Sequence, residues 1–310
     1  MRIKLIGSAA GGGVPQWNCN YRYSRAAREG DENVLPRLQS SIACSANERD
    51  WVLFNASPDL RQQIAQTPEL QPKADAPLRS SPIAAVVITN ADVDHIAGLL
   101  NLRERQPFNL YATRRILSVL DDNPIFRVLD PAYVTRIQVE LGHPFAVEGP
   151  NGPTGLQLEL YPVPGKVALF LETGGGAADF EADGGDTVGV AITRTSGTGR
   201  ADYVPGCARI DPPLRDRLSG TDLLLFDGTV FTDEEMSTAG VGTKTGRRMG
   251  HLPIDGEDGS LKALAGLDAK RRVYVHINNT NPILDRTSPE RRIVEAAGWE
   301  VGEDGLDVTL

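Results

Sequence analysis

The sequence predicts an α/β fold, and three stretches carry this prediction. Residues 84–88 form a continuous apolar run rich in β-branched side chains, which is typical of a buried strand. A helix is indicated shortly afterwards, because Ile96, Leu99 and Leu100 are three and four residues apart and would share one apolar face. Residues 222–229 repeat the buried-strand pattern. A chain of 310 residues with 40% hydrophobic content is long enough to bury a sizeable core.

The composition narrows the class of protein. A net charge of −9 argues against nucleic-acid binding through a general basic surface, because phosphate contacts need clustered Lys and Arg. No apolar run approaches the roughly 18 to 20 residues that span a bilayer, and the N-terminal stretch reaches glycine before any signal-peptide core. Cys19, Cys44 and Cys207 are too few and too scattered for a disulfide framework. We therefore expect a cytoplasmic protein with no nucleic-acid partner and no membrane insertion.

The first third of the chain reads as strands joined by turns. Residues 2–6 alternate as a strand and lead into a glycine-rich loop at 7–13, which lacks the G-x-G-x-x-G spacing of a dinucleotide site. Two further strands are predicted at 40–44 and 51–55, because both are apolar and a polar turn separates them. A helix at 59–66 follows, with Asp59 as its expected N-cap.

The later elements continue the same fold. After the buried strand at 84–88, we expect a strand at 110–112, a helix at 113–120 and a strand at 156–162. Residues 172–187 are rich in glycine and acidic side chains. We interpret them as a surface loop and not as a linker, because strand signals resume at 188–193. The prediction is therefore one domain spanning residues 1–310.

Polar side chains follow three of the predicted strands. The stretch from Asn90 to His95 comes directly after the strand at 84–88, Asp227 lies at the end of the strand at 222–229, and His276 ends a strand that starts at Arg272. Open α/β sheets bind ligands at the carboxyl ends of their strands. Asp227 alone could simply cap a turn with Gly228, but together these positions favour a metal site. His143 lies in a turn-rich stretch and is expected at the surface, outside the site.

The stretch around residue 90 resembles the His-x-His-x-Asp-His motif of the metallo-β-lactamase superfamily. Asp94 and His95 match the motif, whereas Asn90 and Asp92 stand in place of its first two histidines. Lys166 stands where the third histidine of the superfamily belongs, and its ammonium has no lone pair for a metal. Residues 249–253 resemble the Gly-His element of the transfer-RNA-maturing and phosphodiesterase branches. The resemblance implies an αββα four-layer sandwich of two mixed sheets.

This resemblance also implies a mononuclear centre. The second metal site of the superfamily is retained as Asp94, His95, Asp227 and His276, while the first site is lost. Two imidazoles with one or two carboxylates and open positions form the ligand set of a non-haem iron(II) centre that activates dioxygen. Zinc hydrolases of this fold usually depend on the histidine-rich first site, although one divalent metal can still polarise a water molecule.

Two further residues complete the predicted site. His251 is the candidate for the proton transfers that accompany oxygen activation. Asp92 is either a metal ligand or an acceptor that orients a histidine. Lys166 and Arg37 are candidates to pair with substrate carboxylates.

Five motifs together resemble the PqqB family of pyrroloquinoline quinone (PQQ) biosynthesis. They are the stretches GGGVPQWNC at 11–19, RLQSS at 37–41, TNADVDH at 89–95, MGHLP at 249–253 and HINNTNP at 276–282. The resemblance implies iron- and O₂-dependent hydroxylation of the tyrosine ring in a peptide-derived Glu-Tyr precursor of PQQ, alongside the other enzymes of that pathway. Alternatives are a carrier that takes PQQ or its precursor toward the periplasm, and a mononuclear metal-dependent hydrolase.

A structural zinc ion is not expected. Members of the family often carry two more cysteines just after the position of Cys19, and Tyr21 and Ser24 stand there in this chain. A lone thiol does not form a zinc site.

Overall fold

A computed structural model describes residues 1–172 and 184–310 of the chain. Residues 173–183, which belong to the predicted loop at 172–187, lie outside the described residues. Seven described strands form the first sheet in the spatial order β14-β1-β2-β3-β4-β5-β6, namely β1 (Arg2–Gly7), β2 (Ser41–Ser45), β3 (Trp51–Phe54), β4 (Ile83–Val87), β5 (Phe108–Ala112), β6 (Val134–Gln138) and β14 (Asp307–Thr309).

Seven other strands form the second sheet in the order β13-β12-β11-β10-β9-β8-β7. They are β7 (Phe145–Gly149), β8 (Gly152–Pro162), β9 (Val188–Arg194), β10 (Arg200–Val204), β11 (Thr221–Asp227), β12 (Ala269–Val275) and β13 (Glu300–Val301). Both sheets are mixed, because β3 to β6 and β10 to β13 pair in parallel while the other neighbours pair antiparallel.

Eight α-helices lie within the described ranges. They are α1 (Arg22–Glu29), α2 (Leu60–Gln66), α3 (Val93–Ile96), α4 (Arg114–Asp122), α5 (Pro212–Leu218), α6 (Glu235–Thr238), α7 (Ser260–Ala263) and α8 (Pro289–Ala296). Short 3₁₀ segments occur at Pro68–Leu70, Ala97–Leu102, Pro124–Val128, Leu169–Leu171, Arg247–Met249 and Pro282–Leu284. None of the helices in the described ranges has the length and apolarity needed to cross a membrane.

Alternating side chains of the strands build the four layers. In β4, Ala85 and Val87 face a central core between the sheets, while Val86 packs into an outer core with α2 and α4. In β11, Leu225 faces the central core and Phe226 packs into the opposite outer core with α5 and α8. Both strands are buried on both faces, which explains their continuous apolar sequences. The predicted αββα sandwich is confirmed.

Strands from both ends of the described chain join the first sheet. β1 pairs with both β2 and β14, so the first and last described residues share one sheet. We propose that the described residues form one domain.

Two local predictions were wrong. The helix expected after residue 96 is a single α-turn, α3, continued by the 3₁₀ segment Ala97–Leu102. Gly98 sits in this segment against the backbone, and a Cβ there would lie 2.1 Å from the Ser57 carbonyl oxygen. Asp59 precedes α2 but makes no side-chain cap, because its Oδ2 accepts hydrogen bonds from the backbone and side chain of Gln39 instead.

Candidate metal centre

The loop after β4 brings three predicted site residues to the carboxyl edge of the first sheet. Asn90 Oδ1 accepts from the Asp92 amide at 2.9 Å, which stabilises the turn into α3. Asp92 Oδ1 accepts from the Leu169 amide at 2.8 Å. Asp94 and His95 lie in the single turn of α3, and His95 is 1% exposed.

His276 comes from the other sheet and meets this loop. It follows β12 and has a backbone φ of 57°. This left-handed conformation is uncommon for residues other than glycine and is often found at functional sites. Its Nε2 lies 3.1 Å from Asp94 Oδ2, and His95 Nε2 lies 3.7 Å from the same oxygen. One ligand atom from each of the three side chains lies within 4.8 Å of the others.

The donor set fits a metal ion. Neither ring nitrogen of the buried His95 has a hydrogen-bond partner among the described residues, which is costly for an imidazole unless a ligand completes it. Two imidazoles and one carboxylate form a facial set that suits iron(II) and other divalent metals. Asp94, His95 and His276 are therefore the residues that would hold the metal.

The charge states of His95 and Asp94 also suit metal binding. Burial lowers the pKa of His95 to about 4, so its ring is neutral at neutral pH. Burial raises the pKa of Asp94, but the neighbouring His95 and His276 outweigh this effect and hold that pKa below its usual range. A neutral imidazole and an ionised carboxylate are the forms that bind a metal without first losing a proton.

Asp227 is surrounded by hydrogen-bond donors. Its Oδ1 accepts from the Thr229 amide at 3.0 Å and from the Thr229 hydroxyl at 2.6 Å, while its Oδ2 accepts from the Cys207 amide at 2.8 Å and lies 2.7 Å from His251 Nδ1. A carboxylate offers about four lone-pair sites, so these contacts use all of them.

The role of Asp227 follows from these contacts. Asp227, His251 and His276 form a second group of metal-competent atoms within 4.8 Å of one another. Because the donors already saturate the buried carboxylate, we infer that Asp227 orients His251 and does not bind the metal directly. The ligand role that the sequence predicts for Asp227 stays a prediction, and the zinc affinity of Asp227→Asn decides between the two roles.

A cavity of about 280 Å³ opens beside these residues. Its lining includes Asp92, Asp94, His95, Lys166, His251 and His276. The cavity therefore brings together three of the four predicted metal ligands, both predicted catalytic residues and one candidate for carboxylate binding, whereas Asp227 is not part of its lining. A larger cavity of about 780 Å³ lies beside α8 and contains none of the predicted site residues.

Comparison with known proteins identifies the family. Residues 50–277 match the family model described as the beta-lactamase superfamily domain. The chain is 54% identical, over the full length of both proteins, to the coenzyme PQQ synthesis protein B of Methylobacterium sp. (strain 4-46). It is 50% identical to the protein of that description from Xanthomonas campestris pv. campestris (strain B100), again over both full lengths. The chain belongs to the PqqB family.

A solved structure of the PqqB family shows the same fold. The crystal structure of Zn²⁺-bound PqqB from Methylobacterium extorquens superposes with a TM-score of 0.93, at 50% identity and with both chains fully covered. That relative was solved with zinc, and the metallo-β-lactamase superfamily consists mostly of metal-dependent enzymes.

Other predicted residues lie elsewhere. Arg37 is buried away from the cavity, where it donates to Ser8 Oγ and the Gly302 carbonyl oxygen and lies 3.5 Å from Glu303 Oε1. The expectation that Arg37 meets a substrate carboxylate is wrong, because these partners belong to the fold. His143 is exposed and outside the site, as predicted.

Sequence reasoning missed several residues that line the cavity. Thr229, Lys244, Leu169 and Asn278 are among its lining residues. Asn278 belongs to the HINNTNP motif and Thr229 follows the Asp227 position, so both lay within stretches already singled out. Neither Lys244 nor Leu169 lies in a local sequence pattern that predicts a site, because both reach the cavity through tertiary packing.

Proposed function

We propose that this PqqB-family protein uses iron(II) and O₂ to hydroxylate the tyrosine ring of a Glu-Tyr-derived precursor in PQQ biosynthesis. The observation that supports the proposal is the open three-donor set of Asp94, His95 and His276 beside a cavity. A facial set of two histidines and one carboxylate is the arrangement of non-haem iron(II) oxygenases. The expected partners are the precursor and the other enzymes of the pathway in the cytoplasm.

The residues of the chain have separate roles in this proposal. Bound iron(II) supplies the activation of dioxygen. His251 lines the cavity and has its Nδ1 directed at Asp227, so its other ring nitrogen can accept or donate a proton at the substrate phenol. Asp92 is held by the Leu169 amide and lies 3.9 Å from Lys166, which favours a positioning role over metal binding.

Oxygen incorporation is the direct test. One oxygen atom of O₂ enters the ring and the other leaves as water, so the reaction needs two electrons, which ascorbate supplies in the assay. The iron(II)-loaded protein is mixed with the Tyr-containing precursor under ¹⁸O₂, and mass spectrometry measures label in the product. We expect incorporation in the wild type and in His143→Ala, and none in His276→Ala. Iron-loaded wild type that incorporates no label with any Glu-Tyr substrate would refute the proposal.

A hydrolase is the second candidate function. It is favoured by the His251–Asp227 pair beside the metal ligands and by the zinc in the solved relative. Zinc-loaded protein would then cleave an activated phosphodiester, and His251→Gln would abolish that cleavage. A carrier, the remaining alternative, would bind PQQ or its precursor and keep its function after Asp94→Ala.

A further inference from the structure

A chain of charged side chains extends from the lining of the cavity, which includes Asp92, Lys166 and Lys244, to Glu172 and Arg248 behind it. Lys166 Nζ lies 3.1 Å from Glu172 Oε1 and 3.9 Å from Asp92 Oδ2. The other oxygen of Glu172, Oε2, lies 2.7 Å from Arg248 Nη2. Lys244 also lines the cavity, and its charge helps to lower the pKa of Glu172. These five side chains are called the charged wall below.

Lys166 is held in place without being saturated. Its side chain is only 9% exposed, and its stem passes Gly250, where a Cβ would lie 2.9 Å from Lys166 Cγ. Gly250 has a φ of 88°, so glycine both permits the turn and leaves room for the lysine. The one hydrogen bond described for its ammonium goes to the Val167 carbonyl oxygen at 3.2 Å. An ammonium has three N–H donors, so the ion pair with Glu172 leaves donor capacity directed at the cavity.

Glu172 lies between two cations. Its Oε1 is 3.1 Å from Lys166 Nζ, and its Oε2 is 2.7 Å from Arg248 Nη2. Burial raises the pKa of Glu172, but Lys166 and Arg248 outweigh it and lower that pKa overall, so Glu172 is ionised. Glu172 therefore keeps Arg248 as a partner when a second carboxylate takes its place on Lys166.

We propose that the charged wall is a carboxylate-binding subsite, in which a carboxylate of the substrate displaces Glu172 from Lys166. The inference rests on the proposed function, because a Glu-Tyr-derived precursor presents carboxylates as well as a phenol ring. An incoming carboxylate replaces an internal one, so no cation is left unpaired during the exchange. A neutral ligand of the same shape offers no such replacement, and the subsite selects against it.

The test separates the carboxylate from the ring. The probes are dihydrocaffeate, a catechol with a propionate side chain, and dihydrocaffeamide, its primary amide. Titration calorimetry under argon on the zinc-loaded protein measures both affinities, and their ratio reports the carboxylate. We expect the wild type to bind the acid about tenfold more tightly, or about 1.4 kcal/mol.

Variants of the wall move this ratio in opposite directions. Lys166→Met keeps an unbranched side chain against Gly250 and is expected to bring the ratio near one. Glu172→Gln removes the competing charge and is expected to raise the ratio about threefold or more, since a displaced carboxylate no longer opposes binding. Lys270→Met is the matched control, because Lys270 is 79% exposed and forms its ion pair with Asp222, which does not line the cavity. It should leave the ratio unchanged.

The outcomes distinguish the two proposals. A wild type that binds the acid no better than the amide, or binds neither, overturns the subsite, as does an unchanged ratio in a folded, zinc-binding Lys166→Met. A ratio that responds as expected, in a protein that incorporates no oxygen, supports the subsite and refutes the hydroxylase. Each ratio is taken within one variant, so partial unfolding lowers both affinities and does not imitate the expected result.

Discussion

Replacing Thr229 with valine is expected to weaken metal binding although Thr229 is not a ligand. Its Oγ lies 2.6 Å from Asp227 Oδ1 and 2.8 Å from His276 Nδ1. A hydroxyl has one hydrogen, and the charged carboxylate is the stronger acceptor, so Thr229 donates to Asp227. Its oxygen then accepts from His276 Nδ1–H. This bond keeps the proton on Nδ1 and leaves the Nε2 lone pair directed toward Asp94, where a metal would be held.

The magnitude follows from the groups that lose a partner. Valine keeps the branched shape but removes the hydroxyl, so His276 Nδ1–H is left without an acceptor in a side chain that is only 4% exposed. An unsatisfied buried polar group costs about 1–3 kcal/mol of stability. Loss of a group that orients a metal-bound histidine lowers metal affinity about 10- to 100-fold. Thr229→Ser keeps the hydroxyl, so its metal affinity should stay within about threefold of that of the wild type, a much smaller change than the loss expected for valine.

Competition with a chromophoric chelator at neutral pH measures the zinc affinity of the wild type and both variants. Urea denaturation of the metal-free proteins measures the free energy of unfolding in parallel. Valine and serine variants that bind zinc as tightly as the wild type would refute the assigned tautomer and the positioning role of Thr229. Equal losses in both variants would also refute it, because serine retains the hydroxyl.

Three further changes test the site and its surroundings. His95→Ala should lower zinc affinity by more than about 100-fold in the chelator assay, since it deletes a ligand, whereas His143→Ala should bind as the wild type does. Asp227→Asn should lower the hydroxylation rate about 100-fold or more but zinc affinity by less than about tenfold, because it disturbs the orientation of His251 and removes no ligand. A loss of zinc affinity comparable to that of His95→Ala would show that Asp227 binds the metal. Burial raises the pKa of Glu235 from 4.5 to about 7. Its contribution to stability is therefore full below about pH 4.5 and is lost, by about 3 kcal/mol, as the pH rises to about 7. Urea denaturation across this pH range should show a flatter dependence for Glu235→Gln, and an unchanged slope would contradict the assignment.

Local sequence patterns determined much of the fold. The apolar stretches at 84–88 and 222–229 predicted strands buried on both faces, and β4 and β11 lie within one or two residues of those positions. The prediction succeeds because a strand that is buried on both faces has apolar side chains at consecutive positions. The motifs also predicted Asp94, His95 and His276 as metal ligands, because few residue types bind metals and these three follow predicted strands. The same motifs indicated the family.

The predictions failed where a contact joins distant parts of the chain. Arg37 was expected near the substrate, but it meets Gly302 and Glu303, more than 260 residues away, at a place that only the packing of the N- and C-terminal segments defines. The helix expected after residue 96 is a 3₁₀ segment, in which Gly98 lies against the Ser57 backbone. Neither neighbour is visible in the local pattern.

The sequence by itself thus predicted buried strands of an α/β fold. Its motifs indicated the family, and through that resemblance the four-layer sandwich and the proposed metal ligands Asp94, His95 and His276. Only the tertiary structure decided the environment of Asp227, whose oxygens are saturated by Cys207, Thr229 and His251. It likewise decided that Glu172 lies on Lys166. The physical reason is that a residue type sets which bonds a side chain is able to form, whereas the packing of the two sheets sets which partners come within reach.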